Sequence, residues 1–213
     1  MKHEWRKKEK DLYLPKAKPT LITIPKLTYF SISGEGNPNS AAFGQAVGAL
    51  YAVSYSVKMS PKKGLQPDGY FDYTVYPLEG FWSLNERGIT AYQTGQTFDK
   101  EDLTFKVMIR QPDFVTEQFA EETIQRVTES KPNPYNERIQ FESIEEGLCL
   151  QMLHIGPYDT EHETFQKMAA YCDENKLKRL SPTHKEIYLS DPRKSAPEKN
   201  KTVLRFPVAY TDD

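Results

Sequence analysis

Residues 146–172, EGLCLQMLHIGPYDTEHETFQKMAAYC, change hydrophobic period at Gly156–Pro157. Ahead of the turn the segment reads as a strand. Beyond it, Phe165, Met168, Ala169 and Cys172 recur at helical spacing and predict an apolar stripe on a helix. Thr160 and Glu163 have the spacing of a capping box, in which each side chain satisfies a free backbone N–H at the helix start. Two further strands follow, THKEIYLSDP at 183–192 and KTVLRFPVAY at 201–210.

The same order occurs earlier in the chain. LTYFSIS (27–33) is a strand and GEGNPNS (34–40) a turn. AAFGQAVGALYAVSYSV (41–57) is a helix whose Phe43, Val47, Leu50, Tyr51 and Ser54 share a face. In YFDYTVYPLEGFWSL (70–84), Phe71, Tyr73 and Val75 alternate with Asp72, Thr74 and Tyr76, the period of a sheet. Between the halves lie a strand at 103–112, a helix at 116–130, and a turn and strand at 131–144. The expected fold is α+β: tandem duplicated β-α-β modules forming one antiparallel sheet, with helices on one face and a central ligand cleft on the concave opposite face. The modules span about 21–110 and 111–210, after an N-terminal arm at 1–20. That arm is Lys-rich but interrupted by Glu4, Glu9 and Asp11, and reads as solvated.

Composition narrows the function classes. With 28 Lys+Arg against 30 Asp+Glu, the chain has no global positive field to draw it onto nucleic acid or an anionic membrane. It has no apolar run of the roughly 18 residues a membrane span needs, and its start lacks the apolar core of a signal peptide, so a cytoplasmic location is expected. Cys149 and Cys172 are too few for a disulfide framework and are expected as free thiols. EHETF around His162 lacks the second histidine of HExxH, and GEGNPNS lacks the Gly-Lys-Ser/Thr of a phosphate loop. Neither metal nor cofactor is expected. The 13 Tyr, 11 Phe and 2 Trp favour an aromatic pocket, since tyrosine at a cleft offers an apolar face and a polar tip together.

The alternation of THKEIYLSDP puts His184, Glu186 and Tyr188 on one face, and Lys185, Ile187 and Leu189 on the other. A carboxylate on a pocket floor is costly to bury and is tolerated chiefly where it acts. His154 reads as a satisfied structural group or a pocket acid. Arg110 pairs with an acid or steers a polar substituent. Met108 and Phe206 suit either pocket or core, and Tyr73 joins the expected ligand-binding set.

YPLEGFW, FKVMIRQPDFVTE, EGLCLQMLHIGPYDTEHETFQKM, HKEIYLSDPRKSAPEKNKTVLRFPV and the early DLYLPKAKP together resemble the GyrI-like small-molecule-binding proteins, from about Leu12 to Val208. The resemblance implies paired modules around a cleft. It includes effector domains of multidrug-responsive regulators, an inhibitor of DNA gyrase, and standalone proteins that hydrolyse the cyclopropane of DNA-alkylating cyclopropylindole toxins. With no room before Leu12 for a helix-turn-helix domain, the chain is similar to the standalone group, and direct nucleic-acid binding is not expected. The family's pocket glutamate corresponds to Glu186, and its pocket walls to Trp82, Tyr51 and Tyr55. Lys185 stands where relatives often have a second histidine. The implied function is cofactor-independent opening of the toxin ring, with Glu186 as base and Tyr188, by strand face, or Tyr51, by family position, as donor to the substrate oxygen. The alternatives are sequestering of planar aromatic or cationic compounds, and a protein partner as in gyrase inhibition. SDPRKSAPEKNK reads as a loop that covers a ligand entrance or is simply mobile.

Overall fold

The computed structural model describes residues 2–191 and 194–211. It divides into two compact units, Met1–His3 with Leu27–Ile144, and Glu4–Lys26 with Glu145–Asp213. Both are α+β, with antiparallel sheets on which helices pack.

In the first unit, β2 (Leu27–Glu35), β3 (Leu78–Leu84), β4 (Leu103–Arg110) and β5 (Gln140–Ile144) run in the order β5-β2-β4-β3. Helices α3 (Ala41–Lys58) and α5 (Glu117–Ser130) pack on each other and on this sheet, and α4 (Glu86–Gln93) lies against β3. Ser40 and Thr116 cap α3 and α5 by accepting from the backbone N–H groups of Phe43 and Phe119.

The second unit holds α1 (Trp5–Lys8), α2 (Lys10–Tyr13), β1 (Thr20–Ile24), β6 (Gly147–Ile155), α6 (Glu161–Glu174), β7 (Leu177–Arg179), β8 (His184–Tyr188) and β9 (Lys201–Tyr210). Its strand order is β1-β6-β9-β8, with β7 pairing the far end of β9. The two orders are the same: an edge strand, then the first, third and second strands of a repeated β-α-β-β plan. In the first unit the edge strand, β5, follows the repeat in sequence. In the second it is β1 and precedes it. Because of these two edge strands, the units do not follow the expected divisions near residues 20 and 110.

Several local expectations are corrected. Residues 4–20 are not a solvated arm, because Trp5 and Tyr13 are buried with their ring centroids 5.2 Å apart. Only 78–84 of the segment 70–84 is strand. Ahead of it, Tyr73 makes an isolated bridge to His3 and packs among Phe71, Tyr76 and Phe114. The buried face of α3 is Ala46, Ala49, Leu50, Val53, Ser54 and Val57, so only Leu50 and Ser54 of the expected face are inside. Thr160 does not cap α6; its hydroxyl donates to the Pro157 carbonyl at 2.8 Å. Ala169 is exposed, and the buried stripe of α6 is Glu161, Thr164, Met168 and Cys172. Strands β1 and β7 and helix α4 were not expected. Within the loop at 190–201, Pro197–Lys199 form a single 3-10 turn, while Pro192 and Arg193 lie outside the described residues. Cys149 and Cys172 are free and buried, and burial pushes the Cys149 thiol up to about 12.

Both faces of the second sheet are covered. Leu150, Met152, Leu204, Phe206 and Val208 meet Met168 and Cys172 of α6 in one apolar cluster. On the reverse face, Gln151 and Arg205 reach the carbonyls of Asp11 and Leu12. Residues directly opposite on neighbouring strands share a face. Glu186 stands opposite Leu204, so His184, Glu186 and Tyr188 point to the side that α6 covers, and not to a helix-free concave face.

In the first unit, Gly34 stands opposite Phe105, and a Cβ built there would lie 2.6 Å from the ring of Phe105. That ring is itself held 5.0 Å from Phe43 and 5.7 Å from Trp82, so it has little room to yield. Gly34→Ala is expected to cost about 1–3 kcal/mol, read as a lower urea midpoint with an unchanged slope.

Candidate functional site

The site is built on β8 and the start of α6. Strand alternation carries Lys185 and Ile187 inward on one side and leaves His184, Glu186 and Tyr188 half-buried on the other. The side chain of Glu186 is 12% exposed. Its Oε1 lies 2.9 Å from His184 Nε2, and its Oε2 accepts from the Tyr188 hydroxyl at 2.7 Å. An ionised carboxylate only accepts, so His184 carries its proton on Nε2. The ring of Phe165 meets His184 edge-on at 4.8 Å, and the rings of Tyr158 and Tyr188 cross at 6.0 Å.

Glu161 and Tyr158 complete the site, and neither was singled out from the sequence. Glu161 opens α6, is 8% exposed, and comes within hydrogen-bonding contact of Glu186. Burial first, then the charge of Glu186, pushes its carboxyl up to about 10. Burial and the same carboxylate push the Tyr158 hydroxyl up to about 12. A signal for Glu161 did exist. Glu161, Thr164, Met168 and Cys172 are spaced three, four and four apart, which sets a carboxyl at the head of the core-facing stripe.

His154 is the satisfied structural group. Its Nε2–H donates to the Pro157 carbonyl at 3.0 Å, and its Nδ1 accepts from Thr164 Oγ1 at 2.8 Å, which ties the end of β6 to α6. Phe206 is buried in the cluster under α6, with the Arg179 guanidinium 4.4 Å from its ring centroid. The remaining expected residues belong to the first unit. Met108 is wholly core. Trp82 is buried with its ring 5.7 Å from Phe43 and from Phe105. Arg110 is not at the surface; it is buried with its guanidinium 4.6 Å from the ring centroid of Tyr76. Tyr73 is buried, and burial pushes its hydroxyl well above the usual tyrosine value. Tyr51 and Tyr55 lie one turn apart on α3 with ring centroids at 6.3 Å, and Tyr55 is exposed.

A solvent-open groove of about 480 Å³ lies in the first unit between Gly34, Thr104, Tyr135 and Arg138. Among the described residues, no group of three or more His, Cys, Asp or Glu side chains is arranged to hold a metal ion, and no helix is long and apolar enough to cross a membrane.

No curated protein matches the chain. Among solved structures, a hydrolase from Listeria innocua is similar at a TM-score of 0.87 and 36% identity, covering 98% of this chain and all of its own. An uncharacterized conserved protein from the same organism gives a TM-score of 0.88 at 37% identity over the same spans. The C-terminal domain of EcmrR shares the fold, with a TM-score of 0.55 at 14% identity, covering 91% of this chain and 98% of that domain. The model of the GyrI-like small molecule binding domain matches residues 17–209, and the chain belongs to that family.

Proposed function

We propose that the protein is a cofactor-independent hydrolase that opens the cyclopropane ring of planar, DNA-alkylating cyclopropylindole-type toxins and so protects the cell. The observation that carries this reading is the Glu186 carboxylate, only slightly exposed and fixed by His184 and Tyr188 on the face of β8 that α6 covers. Its likeness to a Listeria innocua hydrolase along the whole chain supports the same reading.

In a spirocyclopropyl dienone the ring carbon is electrophilic. A water oxygen attacks it and gives its proton to Glu186. The strained C–C bond breaks, and its electron pair moves through the ring to the carbonyl oxygen, which becomes a phenolate and then takes up a proton. The sum is substrate plus water, with no change of oxidation state. A base and a donor to the developing oxyanion are the two groups this chemistry needs. Tyr188, on the same strand face as Glu186, is the proposed donor.

Incubating a molar excess of a cyclopropylindole with the protein tests this. The expected result is many equivalents of a product heavier by one water, resolved by chromatography and mass analysis. The second reading, a sequestering protein, is favoured by the family's small-molecule-binding character. It requires removal of about one equivalent, recovered intact after denaturation, and that outcome would replace the hydrolase.

A further inference from the structure

The mechanism above leaves one buried titratable group unused. Glu161 sits at the head of the buried stripe of α6, and its Oε1 is buried with no hydrogen-bond donor directed at it. The titratable groups that face it are Tyr158 and Asp159 in the turn before α6, and Glu186 of β8. Two carboxylates in contact cannot both be ionised in a poorly solvated site, so the pair holds one proton between them. Glu186 has the donors that favour an ionised form, His184 Nε2–H and Tyr188 O–H. Glu161 lacks them.

We propose that Glu161 is a positioning residue, whose carboxyl holds the shared proton and donates it to Glu186, fixing Glu186 as an oriented, ionised base. A carboxylate offers about four lone-pair sites. With His184, Tyr188 and Glu161 as donors three are occupied, and the remaining one is directed to a single water. When Glu186 takes the proton of that water, both carboxyls are neutral and no like-charge repulsion builds up. The role in turnover rests on the hydrolase reading; the location of the proton does not.

Two variants and two readouts separate these. Glu161→Gln keeps a neutral donor of the same shape, while Glu161→Leu removes it. With a cyclopropylindole as substrate, Glu161→Gln is expected to stay within about fivefold of wild type. Glu161→Leu is expected to lose 10-fold or more, with the acid limb of its rate profile moved to higher pH, because an ionised Glu186 has lost a donor. Equal losses in both variants, or an acid limb that does not move, would overturn the positioning role.

The second readout needs no turnover. Glu161 has a raised value in the fold and an ordinary one, about 4.3, when unfolded. Its contribution to stability is therefore full below about pH 4 and lost as pH rises towards 10. The urea midpoint of Glu161→Gln should exceed that of wild type at pH 7–9 and meet it near pH 4. A variant no more stable than wild type at any of these pH values would overturn the assignment of the proton. If wild type shows no turnover, the hydrolase reading fails, and this comparison still decides which carboxyl is protonated.

Discussion

Replacing Glu186 with glutamine is expected to lower single-turnover ring opening about 10²- to 10⁴-fold, the range over which a positioned general base contributes, while affinity for the compound changes little. The amide keeps the shape of the side chain, and its oxygen can still accept from the Tyr188 hydroxyl, which lies 2.7 Å from the native carboxylate. It cannot take a proton from water. Affinity, followed through quenching of protein fluorescence, separates the two readings of the site. A base lost from a hydrolase slows the chemistry and spares binding. A carboxylate lost from a binding site weakens the hold on cationic compounds and leaves no rate to lose. Turnover unchanged in Glu186→Gln would remove Glu186 from the chemistry altogether.

What could be read from the sequence, and what could not, follows from the range of the interactions. The alternation in HKEIY correctly separates Glu186 from Lys185, because a strand's two faces are a local property. The start of α5 is marked by Thr116, whose cap partner is three residues away. Trp5 and Tyr13 were missed because charged neighbours surround them and because the groups fixing their segment, Gln151 and Arg205, are more than 100 residues distant. Glu161 was missed for a different reason. A search for apolar periodicity passes over a carboxyl even when it occupies a core-facing position, as Glu161 does. The rotated face of α3 has a similar origin: Ala46 and Ala49 are small, and the larger Phe43 and Tyr51 drew the stripe away from them.

The reverse face of β8 carries the largest expected effect on stability. Lys185 is 1% exposed and Arg205 2%, and both meet the side chain of Glu146, with Lys185 Nζ 2.6 Å and Arg205 Nη1 3.5 Å from its Oε1. Arg205 also donates to Gln151 Oε1 at 2.9 Å and to the Leu12 carbonyl at 2.6 Å, so the cluster anchors residues 11–12 to the sheet. Glu146→Ala removes a carboxylate that both buried cations meet, and is expected to cost about 3–5 kcal/mol, the range for breaking a buried ion pair by removing one partner. Replacing both members of the closer pair, as in Glu146→Leu with Lys185→Met, should recover much of that loss, which a double-mutant cycle in urea measures. The pH dependence has a definite sign. Burial pushes the Glu146 carboxyl up, but Lys185 and Arg205 outweigh it and hold the group below the ordinary value. A depressed carboxylate contributes stability above its unfolded value of about 4.3 and loses it as pH falls through the folded one. The difference between wild type and Glu146→Ala should therefore be full at pH 7 and shrink in acid. A difference that persists unchanged to pH 2 would mean that packing, and not charge, accounts for the loss. Lys185 is the immediate neighbour of Glu186, so the ion pair that anchors one face of β8 also fixes the backbone from which the candidate base projects on the other.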